Sequence, residues 1–552
     1  MDSAHLVLEE RDANGNFSKA FYDNALDAEK HLALPGDRRS SNPDPLHDLG
    51  RAPSRIVEVS ANDKSVYQYL SIGGRRPSSS RVLRVLQFLI SVFLPTGYPD
   101  SVTSDYVDYQ IFDSIQAFAS TIAALIGNRA VLTAVGVGDK NATSTSAMFI
   151  TGLQETLGRL ATISFAWKYG STLEQECKKF RFVADLVYNA GVICDVCAPY
   201  FGVSRSTKIF FLCCSGVLKA VCGVMANGSR AALTQHFTDS ERGSISDVSA
   251  KDASQETVIS LMGMLVGAII VPYVNTDIQI WTTLLLLITV HLTTNYWAVT
   301  SVVMDTLNRQ RVNIVFAYLM DQTSPLMLES DLLDHQSVLP SRILSPKEVV
   351  KQERVLERDG LLRWGSGNTI LGHASIGSFS EVYRILPSGM TVNELLHLFG
   401  DGKAGYVLWF EHGRVNGRKG SFVTVRGALI DVNHADDEDY ANSDAAYYGV
   451  NPESKEAAET DTRELRAWVH ALYLAKSIRA LHHGSGDVTS LTAARDHVRR
   501  TLKIVDGLFD SSGLVADALR LRGWDLSRGR TMVVSGSVPR ISVRGHVTSG
   551  ER

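Results

Sequence analysis

The chain has 552 residues, 45% of them hydrophobic, and a formal net charge of −4. A chain of this length holds about two to four domains, and its slightly acidic balance, with a pI near 6.4, excludes the global basic field of a nucleic-acid-binding protein. The mean hydropathy is close to zero, which confines any membrane domain to part of the sequence.

Residues 1–80 are rich in Asp, Arg, Ser and Pro, a composition that predicts a disordered leader. The first residues lack the basic and apolar regions of a signal peptide, so internal segments would have to direct membrane insertion. All six cysteines lie between residues 177 and 222, away from the polar ends of the chain. This placement favours a reducing compartment over a secreted disulfide framework.

Residues 81–330 predict a multi-helix, membrane-associated bundle. Arg81–Pro95 is too short to span and suits an interfacial or buried helix that ends at its proline. Isolated charges such as Asp113, Glu155 and Asp185 interrupt the apolar sequence that follows, and in a bilayer they must face a protected interior. A large soluble helical domain is the alternative that the same pattern allows. The apolar stretches with helical character are Ile111–Val135, Ala142–Trp167, Phe182–Tyr200 and Lys208–Ala226.

The strongest membrane signal is a predicted hairpin over residues 257–304. Thr257–Val274 holds 18 residues without a charge and Ile278–Met304 holds 27, and a run of about 18 apolar residues can cross a hydrocarbon layer of roughly 30 Å. Only the polar turn 275–277 separates them. Basic residues flank the outer ends of the hairpin and are absent from its turn, so the positive-inside rule places the C-terminal third on the cytosolic side.

Two features of the hairpin have both a structural and a functional interpretation. Gly263 and Gly267 form a G-x-x-x-G spacing, which either permits close approach of a second helix or arises by chance. His291 lies midway along the second apolar run, where an ionisable group is by default a functional-site hypothesis. A neutral imidazole bonded to a neighbouring helix is the structural alternative.

A charged strip, Ser246–Glu256, precedes the hairpin and supplies most of the candidate binding residues. One interpretation is structural, with Asp252 capping a helix that begins near Ser254 and Gln255 in capping-box position. The other is a binding surface, in which Lys251 and free N–H groups at the helix start face an anion. The sequence leaves both open. The candidate binding residues of the strip are Asp247, Ser249, Lys251, Asp252, Gln255 and Glu256.

Arg230 and His236, a few residues upstream, join the strip as candidate binding residues. With the Asp side chains they would suit acid–base chemistry, but no motif supplies a nucleophile, a metal site or a complete catalytic set. The sequence therefore predicts neither an enzyme nor a metal site, and it identifies no cofactor.

Residues 345–535 predict a small soluble α+β domain, followed by a disordered tail over residues 536–552. A charged helix is expected from Ser345, and an acidic loop over residues 431–461. β-Branched and aromatic residues give strand character to Ile370–Ala374, Tyr406–Phe410 and Ser421–Leu429. Helical periodicity marks Arg463–His482, Thr492–Phe509 and Leu514–Arg522.

Ten ordered sequence blocks resemble the root-UVB-sensitive (RUS) family, long catalogued as a domain of unknown function. The resemblance is close over residues 80–330 and loose in the C-terminal domain. Ala253 stands where glycine is expected in the family, which favours a helix there over a sharp turn. The blocks are Phe93–Val102, Asp105–Tyr106, Tyr109–Gln110, Asp113–Phe118, Gly136–Gly138, Ala142–Thr143, Arg230–Phe237, Asp247–Thr257, Asn295–Tyr296 and Leu307–Arg309.

The resemblance implies a membrane-associated protein, because the family has that character. Relatives in plants are tied to UV-B tolerance, seedling development and vitamin B6 homeostasis. Family members also act as partners of one another, which implies a homo- or hetero-oligomer. The resemblance supplies no reaction and no catalytic residues. The chain shows no transit peptide, so an intracellular organelle membrane is expected without a choice of organelle.

Two functional hypotheses follow. The first is a carrier-like or regulatory integral membrane protein that acts in the homeostasis of a small molecule. The more specific version of this hypothesis names a small molecule related to vitamin B6. The second is a membrane-anchored scaffold that binds protein partners through the strip and the C-terminal domain. Stabilisation of the protein by a small-molecule ligand would separate the two.

Overall fold

A computed structural model gives the fold of the chain. Contacts divide it into two compact units, Met1–Tyr106 with Phe237–Val258, and Val107–His236 with Ile259–Arg552. The described residues are 6–11, 17–22, 55–58, 68–71, 92–137, 144–201, 205–239, 241–322, 339–365, 369–400, 403–415, 418–431, 455–483, 490–509, 514–526, 531–532 and 540–542.

Four short strands and the first part of a long helix belong to the first unit. β1 (Leu6–Arg11) pairs with β2 (Phe17–Tyr22), and β3 (Arg55–Glu58) pairs with β4 (Gln68–Ser71), both antiparallel. The other residues of the predicted leader, and most of the helix predicted over Arg81–Pro95, lie outside the described residues. The disordered leader therefore stays a prediction.

Long helices dominate residues 106–322, as the sequence predicts. Six of the seven begin or end within a few residues of a predicted apolar stretch, although the helix from Arg205 extends well beyond its stretch and the helix from Ile245 begins well before its own. No predicted stretch corresponds to the helix from Arg309. In the described part of this region the helices are α1 (Tyr106–Val135), α2 (Ser144–Tyr169), α3 (Cys177–Cys197), α4 (Arg205–Phe237), α5 (Ile245–Ile270), α6 (Asp277–Ser301) and α7 (Arg309–Gln322).

Side-chain contacts show that α1 and α3 run in the same direction and α6 runs back. Arg181, near the start of α3, donates a hydrogen bond to Asp113 near the start of α1 at 2.7 Å. Tyr200, directly after α3, donates to Asp277 at the start of α6 at 2.9 Å. We call the end at which α1 and α3 begin the near end and the opposite end the far end.

The remaining helices complete an up-and-down bundle. An apolar cluster at the far end joins the end of α1 to the beginnings of α2 and α4, so these two helices run toward the near end. Gly263 of α5 packs against Thr121 of α1, where an added Cβ would lie 3.0 Å away, and Gly267 packs one turn further on. α5 is therefore parallel to α1, and the G-x-x-x-G spacing does bring two helices close. The far-end cluster consists of Ala134, Ile150, Ala198 and Leu212.

The predicted hairpin forms a helix–turn–helix. α5 continues as a 3-10 turn over Val271–Tyr273, and α6 begins after a capping box made by Thr276 and Gln279. Arg129 of α1 donates to the carbonyl groups of Val271 and Val274 at 2.9 and 2.6 Å. The Val271 carbonyl also accepts the Val274 N–H at 3.2 Å, so Arg129 adds bonds to the carbonyl groups at the end of this helical segment.

Five of the described helices are long and apolar enough to cross a membrane, judged by length and composition. α2 falls short of this group because Glu155 and Arg159 lie in the middle of it. The five segments are Tyr106–Val135, Cys177–Tyr200, Ser206–Phe237, Ile245–Tyr273 and Asp277–Ser301.

The C-terminal region is a mixed sheet covered by helices, which confirms the predicted α+β composition. β9 pairs with β8 antiparallel and with β7 and β11 parallel, while β6 pairs with β7 antiparallel. β5 and β10 pair separately. Bounds are β5 (Leu307–Asn308), α8 (Pro346–Val349), β6 (Leu361–Trp364), β7 (Thr369–Ile376), α9 (Phe379–Arg384), α10 (Val392–Leu398), β8 (Tyr406–Val415), β9 (Arg418–Asp431), α11 (Lys455–His483), α12 (Leu491–Leu508), α13 (Leu514–Leu521), β10 (Thr531–Met532) and β11 (Arg540–Ser542).

Two predicted boundaries are wrong. The charged helix expected from Ser345 is only α8, a single turn over Pro346–Val349. The acidic loop predicted over residues 431–461 ends earlier, since α11 already begins at Lys455. Residues 432–454 of that loop, and most of the predicted tail, lie outside the described residues.

His470→Gln is expected to make the unfolding free energy of the C-terminal region less sensitive to acid. His470 is fully buried, with its ring nitrogens 3.1 Å from the Tyr406 hydroxyl and 2.9 Å from the Thr501 hydroxyl. Burial lowers the pKa of His470 from 6.5 to about 3. The unfolded chain therefore takes up the proton first, so stability is full above about pH 6.5 and decreases by about 2 kcal/mol at pH 5.

Denaturant unfolding of the full-length chain, followed by tryptophan fluorescence at neutral and acidic pH, measures this loss. The wild type should lose about 2 kcal/mol more than His470→Gln on acidification to about pH 5. Equal losses in the two proteins would contradict the assignment of the acid-sensitive term to His470.

Candidate functional site

The charged strip lies inside α5, so the predicted helix start is wrong. α5 begins at Ile245 rather than near Ser254, and Asp252 lies about two turns inside the helix instead of at its N-cap. Asp247 occupies the first turn, where its charge suits the helix dipole. Val248, at 1% exposure, is buried, and its burial stabilises the helix upstream of the predicted start.

Three strip residues hold the backbone of the segment Val92–Thr96. Asp247, Lys251 and Gln255 are spaced four residues apart and therefore share one helix face. This contact joins two of the sequence blocks that carry the family resemblance. The hydrogen bonds are Thr96 N–H to the Asp247 carboxylate at 2.7 Å, Lys251 Nζ to the Val92 carbonyl at 3.1 Å, and Gln255 Nε2 to the Phe93 carbonyl at 2.5 Å.

The other predicted site residues lie near the end of α4 and on the rest of the strip. Arg230 is half-buried near the end of α4. His236, six residues further along, is buried, and its Nδ1 lies 3.5 Å from the Asp305 carboxylate. Ligand binding by the strip stays a prediction. Of the remaining strip residues, Asp252 is buried, whereas Ser249 and Glu256 are exposed.

Lys251→Met is expected to loosen the Val92–Thr96 segment. The variant keeps the length of the side chain but removes the charged donor from the Val92 carbonyl, a loss of about 1–3 kcal/mol. Limited proteolysis of the full-length protein within residues 92–100 measures the opening. Ser249→Ala, on the exposed face of the same helix, should be cleaved at the wild-type rate. Cleavage of Lys251→Met at that same rate would contradict the contact between Lys251 and Val92.

A buried polar cluster lies between α3 and α6, around His291. The Nδ1 of His291 is 3.1 Å from the amide nitrogen and 3.2 Å from the amide oxygen of Asn189, and its Nε2 is 3.4 Å from the Asp185 carboxylate. Asn295 donates to the same carboxylate. The imidazole is therefore bonded to a neighbouring helix, as the structural alternative from the sequence predicts, and it is also paired with an acid.

Arg181 extends the cluster to α1. Its guanidinium donates to the Asp113 carboxylate at 2.7 Å and to the Tyr109 hydroxyl at 3.2 Å, and Gln116 donates to the same carboxylate at 2.7 Å. These groups are largely buried, so their charges are compensated by one another rather than by water. We call the following residues the core cluster: Tyr109, Asp113, Gln116, Arg181, Asp185, Asn189, His291 and Asn295.

The expectation that isolated charges face the interior holds for some charges and not for others. Asp113 and Asp185 are buried in the core cluster, and the fully buried Asp195 side chain pairs with Lys219 of α4. The pair Glu155–Arg159 is an exception, because its side chains are 63% and 81% exposed. α2 turns Gly158 rather than its charges toward α4, where a Cβ would meet Ala220 at 3.3 Å.

At the near end, Glu353 joins the bundle to the C-terminal region. Its carboxylate bonds Lys178 of α3 at 2.5 Å and Arg311 of α7 at 2.8 Å, and each of the three side chains is at most 7% exposed. Burial acts to raise the pKa of Glu353, but Arg311 and Lys178 outweigh it and hold that pKa below its ordinary value. We call Lys178, Arg311 and Glu353 the junction triad.

Glu176, next to the junction triad, titrates near neutrality. Burial raises the pKa of its carboxyl from 4.5 to about 7, against the opposing charge of Arg311. The Asn308 amide nitrogen lies 3.4 Å from the same carboxyl. The charge at this junction therefore changes within the physiological pH range.

A cavity of about 690 Å³ lies beside α7 and β6. This volume falls within the range of about 300–1,000 Å³ that small-molecule sites occupy. Tyr318 and Trp364 provide aromatic surface, and Arg363 is paired with Glu357 at 2.7 Å. The cavity therefore combines flat apolar surface with fixed charges, a combination suited to a small polar aromatic ligand.

The sequence identifies His291 but misses its partners. The sequence distinguishes Asp113 and Asp185 as isolated charges in apolar stretches. Asn189 and Asn295 carry no formal charge, so the sequence does not distinguish them from ordinary polar residues. The usable signal is spacing, because Arg181, Asp185 and Asn189 recur every four residues and so mark one polar face on an otherwise apolar helix.

The fold and the core cluster define the class of protein: an up-and-down helical bundle, with five helices of membrane-spanning length and ionised residues in its interior. Residues 79–323, which contain α1–α7, match the family model described as a vitamin B6 photo-protection and homoeostasis domain. This match and the curated relatives below confirm the resemblance to the root-UVB-sensitive family over this segment of the chain.

Curated relatives carry the same family name. RUS family member 1 of Dictyostelium discoideum is 38% identical over 273 residues, and Protein root UVB sensitive 3 of Arabidopsis thaliana is 34% identical over 264 residues. The matches cover 49% and 48% of this chain, and 47% and 59% of the relatives' lengths. The chain thus spans about half the length of the curated relatives that it matches. No solved structure matches it.

Proposed function

We propose that α1–α6 form an integral membrane domain whose core cluster lies within the bilayer. The observation that carries this proposal is the contrast between the inside and the outside of the bundle. Ionised side chains are buried together in the core, whereas large apolar side chains face outward, the reverse of a soluble protein's arrangement. Outward-facing examples are Leu261, Leu265, Ile269, Leu285 and Leu286, each at least 51% exposed.

Helix direction extends the proposal to α2. The six helices alternate between the near and far ends, so a bundle in which the other five cross the bilayer requires α2 to cross as well. α2 has 26 residues, about 39 Å of helix at 1.5 Å per residue, which is longer than a hydrocarbon core of roughly 30 Å. We propose six crossings.

Alkaline carbonate extraction tests the integral claim. The full-length protein should stay with the membrane pellet, as a transmembrane protein does, while a peripheral control protein is released. Release of the intact chain into the supernatant would contradict the proposal of an integral membrane domain.

Basic residues support an orientation with the near end in the cytosol. They flank the helices at that end in greater number than at the far end, where Arg129, Arg205 and Lys208 lie and the turn 275–277 contains none. This excess follows the positive-inside rule. The C-terminal region is tied to the near end by the junction triad and would lie on the cytosolic side with it. The near-end basic residues are Lys168, Lys178, Lys179, Arg230, Arg309 and Arg311.

We further propose that the protein is a carrier-like or regulatory component of small-molecule homeostasis, and that it has no enzymatic activity. The description of the matching domain names vitamin B6, so a B6 vitamer is the ligand to test first. The cavity beside α7 has the volume and the aromatic and charged lining for such a molecule.

Thermal unfolding of the purified full-length protein with pyridoxal phosphate tests this assignment. A ligand at about one hundred times its Kd stabilises the native state by about 2.7 kcal/mol, so the wild type should show a clear rise in Tm. Tyr318→Ala, in the cavity, should lose the rise. Tyr383→Ala, a tyrosine that is 62% exposed and not part of the cavity lining, should keep it.

A second candidate, a membrane-anchored scaffold, is favoured by the outer face of α2. Glu155 and Arg159 would face lipid there, which is costly for ionised groups, and Phe149 and Trp167 beside them are 69% and 86% exposed. A protein partner that covers this face would remove the cost. The scaffold hypothesis predicts an oligomer that Arg159→Glu dissociates, with no change in Tm on adding any B6 vitamer.

A further inference from the structure

We propose that two copies of this chain pair through the outer face of α2, where Glu155 and Arg159 of each copy bond to the same two residues of the other copy. The inference deepens the scaffold candidate by naming its partner, and it rests on the proposed function in placing α2 within the bilayer. Its test requires no ligand.

The two opposite charges lie in the middle of the outer face of α2. Glu155 and Arg159 belong to the central turns of this 26-residue helix, and their side chains are 63% and 81% exposed. The other side of the helix packs on the bundle, since Gly158 approaches α4 and Ile150 is buried at the far end. In a single copy the ionised pair would therefore face lipid, which is costly.

The contact within one copy uses little of the hydrogen-bonding capacity of the pair. Nη2 of Arg159 lies 3.5 Å from the Glu155 carboxylate, which is long for a charge-assisted hydrogen bond. A guanidinium has five N–H donors, and a carboxylate accepts about four hydrogen bonds. The hydrocarbon layer provides no water for the remaining groups. A partner on this face therefore has to bring both an acceptor and a donor.

A second copy of the same face brings both. Two copies inserted in the same direction are related by a two-fold axis along the bilayer normal, so that Glu155 of each contacts Arg159 of the other. The two α2 helices are then parallel, and the two residues differ in depth by about 6 Å, four residues at 1.5 Å each. Parallel coiled coils also pair charged side chains between their helices. The four charges alternate in sign and sum to zero.

Other kinds of partner suit this face less well. A partner surface with one sign of charge would leave either Glu155 or Arg159 opposite its own sign, which is unfavourable. An apolar surface would leave both residues without new hydrogen bonds. The face carries its own complement, and this self-complementarity favours a second copy.

The shape of the face permits close approach. Gly152, about one turn before Glu155, is exposed, and a Cβ added to it would lie more than 4 Å from the other described elements. Gly152 and Thr156 have a small-x-x-x-small spacing, which lets the backbones of two membrane helices come close. Ile163, about one turn beyond Arg159 and 66% exposed, adds apolar contact next to the charges.

Charge-swap complementation of the full-length protein tests the proposal. Two differently tagged copies are co-expressed, extracted in mild detergent and purified through one tag, and the amount of the other copy is measured. Wild-type copies should co-purify. Glu155→Arg combined with itself, and Arg159→Glu combined with itself, place like charges across the interface and should lower co-purification about tenfold or more.

The mixture of Glu155→Arg with Arg159→Glu gives the sharpest comparison. One copy then presents two positive charges and the other two negative charges, so opposite charges meet across the interface although neither helix keeps its own pair. Co-purification should return toward the wild-type level. A mixture that co-purifies no better than the two like-charged combinations would overturn the proposal and would favour a different protein as the partner.

Lys168→Glu is the matched control, because it makes the same change of charge on the same helix. Lys168 is exposed and lies nine residues beyond Arg159, about two and a half turns, so it occupies the opposite side of α2. This variant should co-purify like the wild type. Loss of pairing in Lys168→Glu as well would overturn the assignment to the face of Glu155 and Arg159.

A chain that carries both Glu155→Arg and Arg159→Glu separates loss of pairing from loss of folding. It restores an ion pair within α2 and should pair with itself like the wild type. Each single variant, at concentrations that separate the copies, should unfold close to the wild-type Tm, since exposed charges contribute little to stability. A double variant that folds but does not pair would contradict the reciprocal ion pairs.

Cysteine cross-linking, in a background without the six native cysteines, gives a second measurement. Ala166→Cys lies about two turns beyond Arg159 on the same face, and copper phenanthroline should oxidise it to a disulfide between copies. Ser164→Cys, exposed on another side of the helix, should stay reduced. Equal cross-linking at both positions would overturn the proposal. Carbonate extraction tests the membrane domain separately, so a chain that carbonate releases but that passes complementation fails the proposed function and keeps this inference.

Discussion

Glu353→Ala is expected to destabilise the full-length protein by about 3–5 kcal/mol, because it leaves two buried cations without their shared partner. Lys178 and Arg311 are 6% and 3% exposed and cannot recover their hydration without opening the junction. Thermal or denaturant unfolding in detergent measures the loss. It should appear as a lower midpoint of the transition that reports on the C-terminal tryptophans.

The matched control is Glu348→Ala, which breaks the exposed pair between Glu348 and Arg522 and should cost at most about 1 kcal/mol. The direction in which pH changes the stabilisation by Glu353 also follows from the lowered pKa of its carboxyl. Its contribution is complete above the unfolded value of 4.5 and decreases as the pH falls from there through the folded pKa. Equal effects of Glu353→Ala and Glu348→Ala would contradict the role of the junction triad.

Arg181→Leu is expected to have an effect of similar size in the core cluster, about 3–5 kcal/mol, since it removes a buried cation that pairs with Asp113 and acts on Asp185. The double variant Arg181→Leu with Asp113→Leu should recover part of this loss, because it removes one of the stranded charges. Tm values of the four proteins in this cycle measure the coupling.

Arg159→Leu is the control for loss of a helix arginine at an exposed position. Arg159 is 81% exposed and its pair with Glu155 is 3.5 Å long, so the change should stay within about 1 kcal/mol. A double variant that is less stable than Arg181→Leu alone would contradict the compensation of charge within the core cluster.

Much of the fold is predictable because local patterns determine it. The hairpin follows from two uncharged runs around a polar turn, and the helices of the C-terminal region follow from their apolar periodicity. The close approach at Gly263 is also suggested by spacing alone. These features depend on residues near one another in the chain, which is the information that a single sequence contains.

The predictions that fail depend on contacts between residues far apart in the chain. Glu353 bonds side chains 42 and 175 positions away, and no local pattern encodes such partners. Likewise, Asp252 resembles a helix cap in the sequence, but α5 begins upstream of it at Ile245 and buries Val248. The partners of His291 are missed for the same reason, since Asn189 is 102 residues away.

The most direct test of the central claim is a topology map by cysteine accessibility, made in a background without the six native cysteines. With a membrane-impermeant thiol reagent on the cytosolic side, Gly170→Cys and Ser490→Cys should be labelled. Val137→Cys and Asn275→Cys, at the far end, should react only after the membrane is permeabilised. Labelling of all four positions in sealed membranes would contradict a bundle that crosses the bilayer.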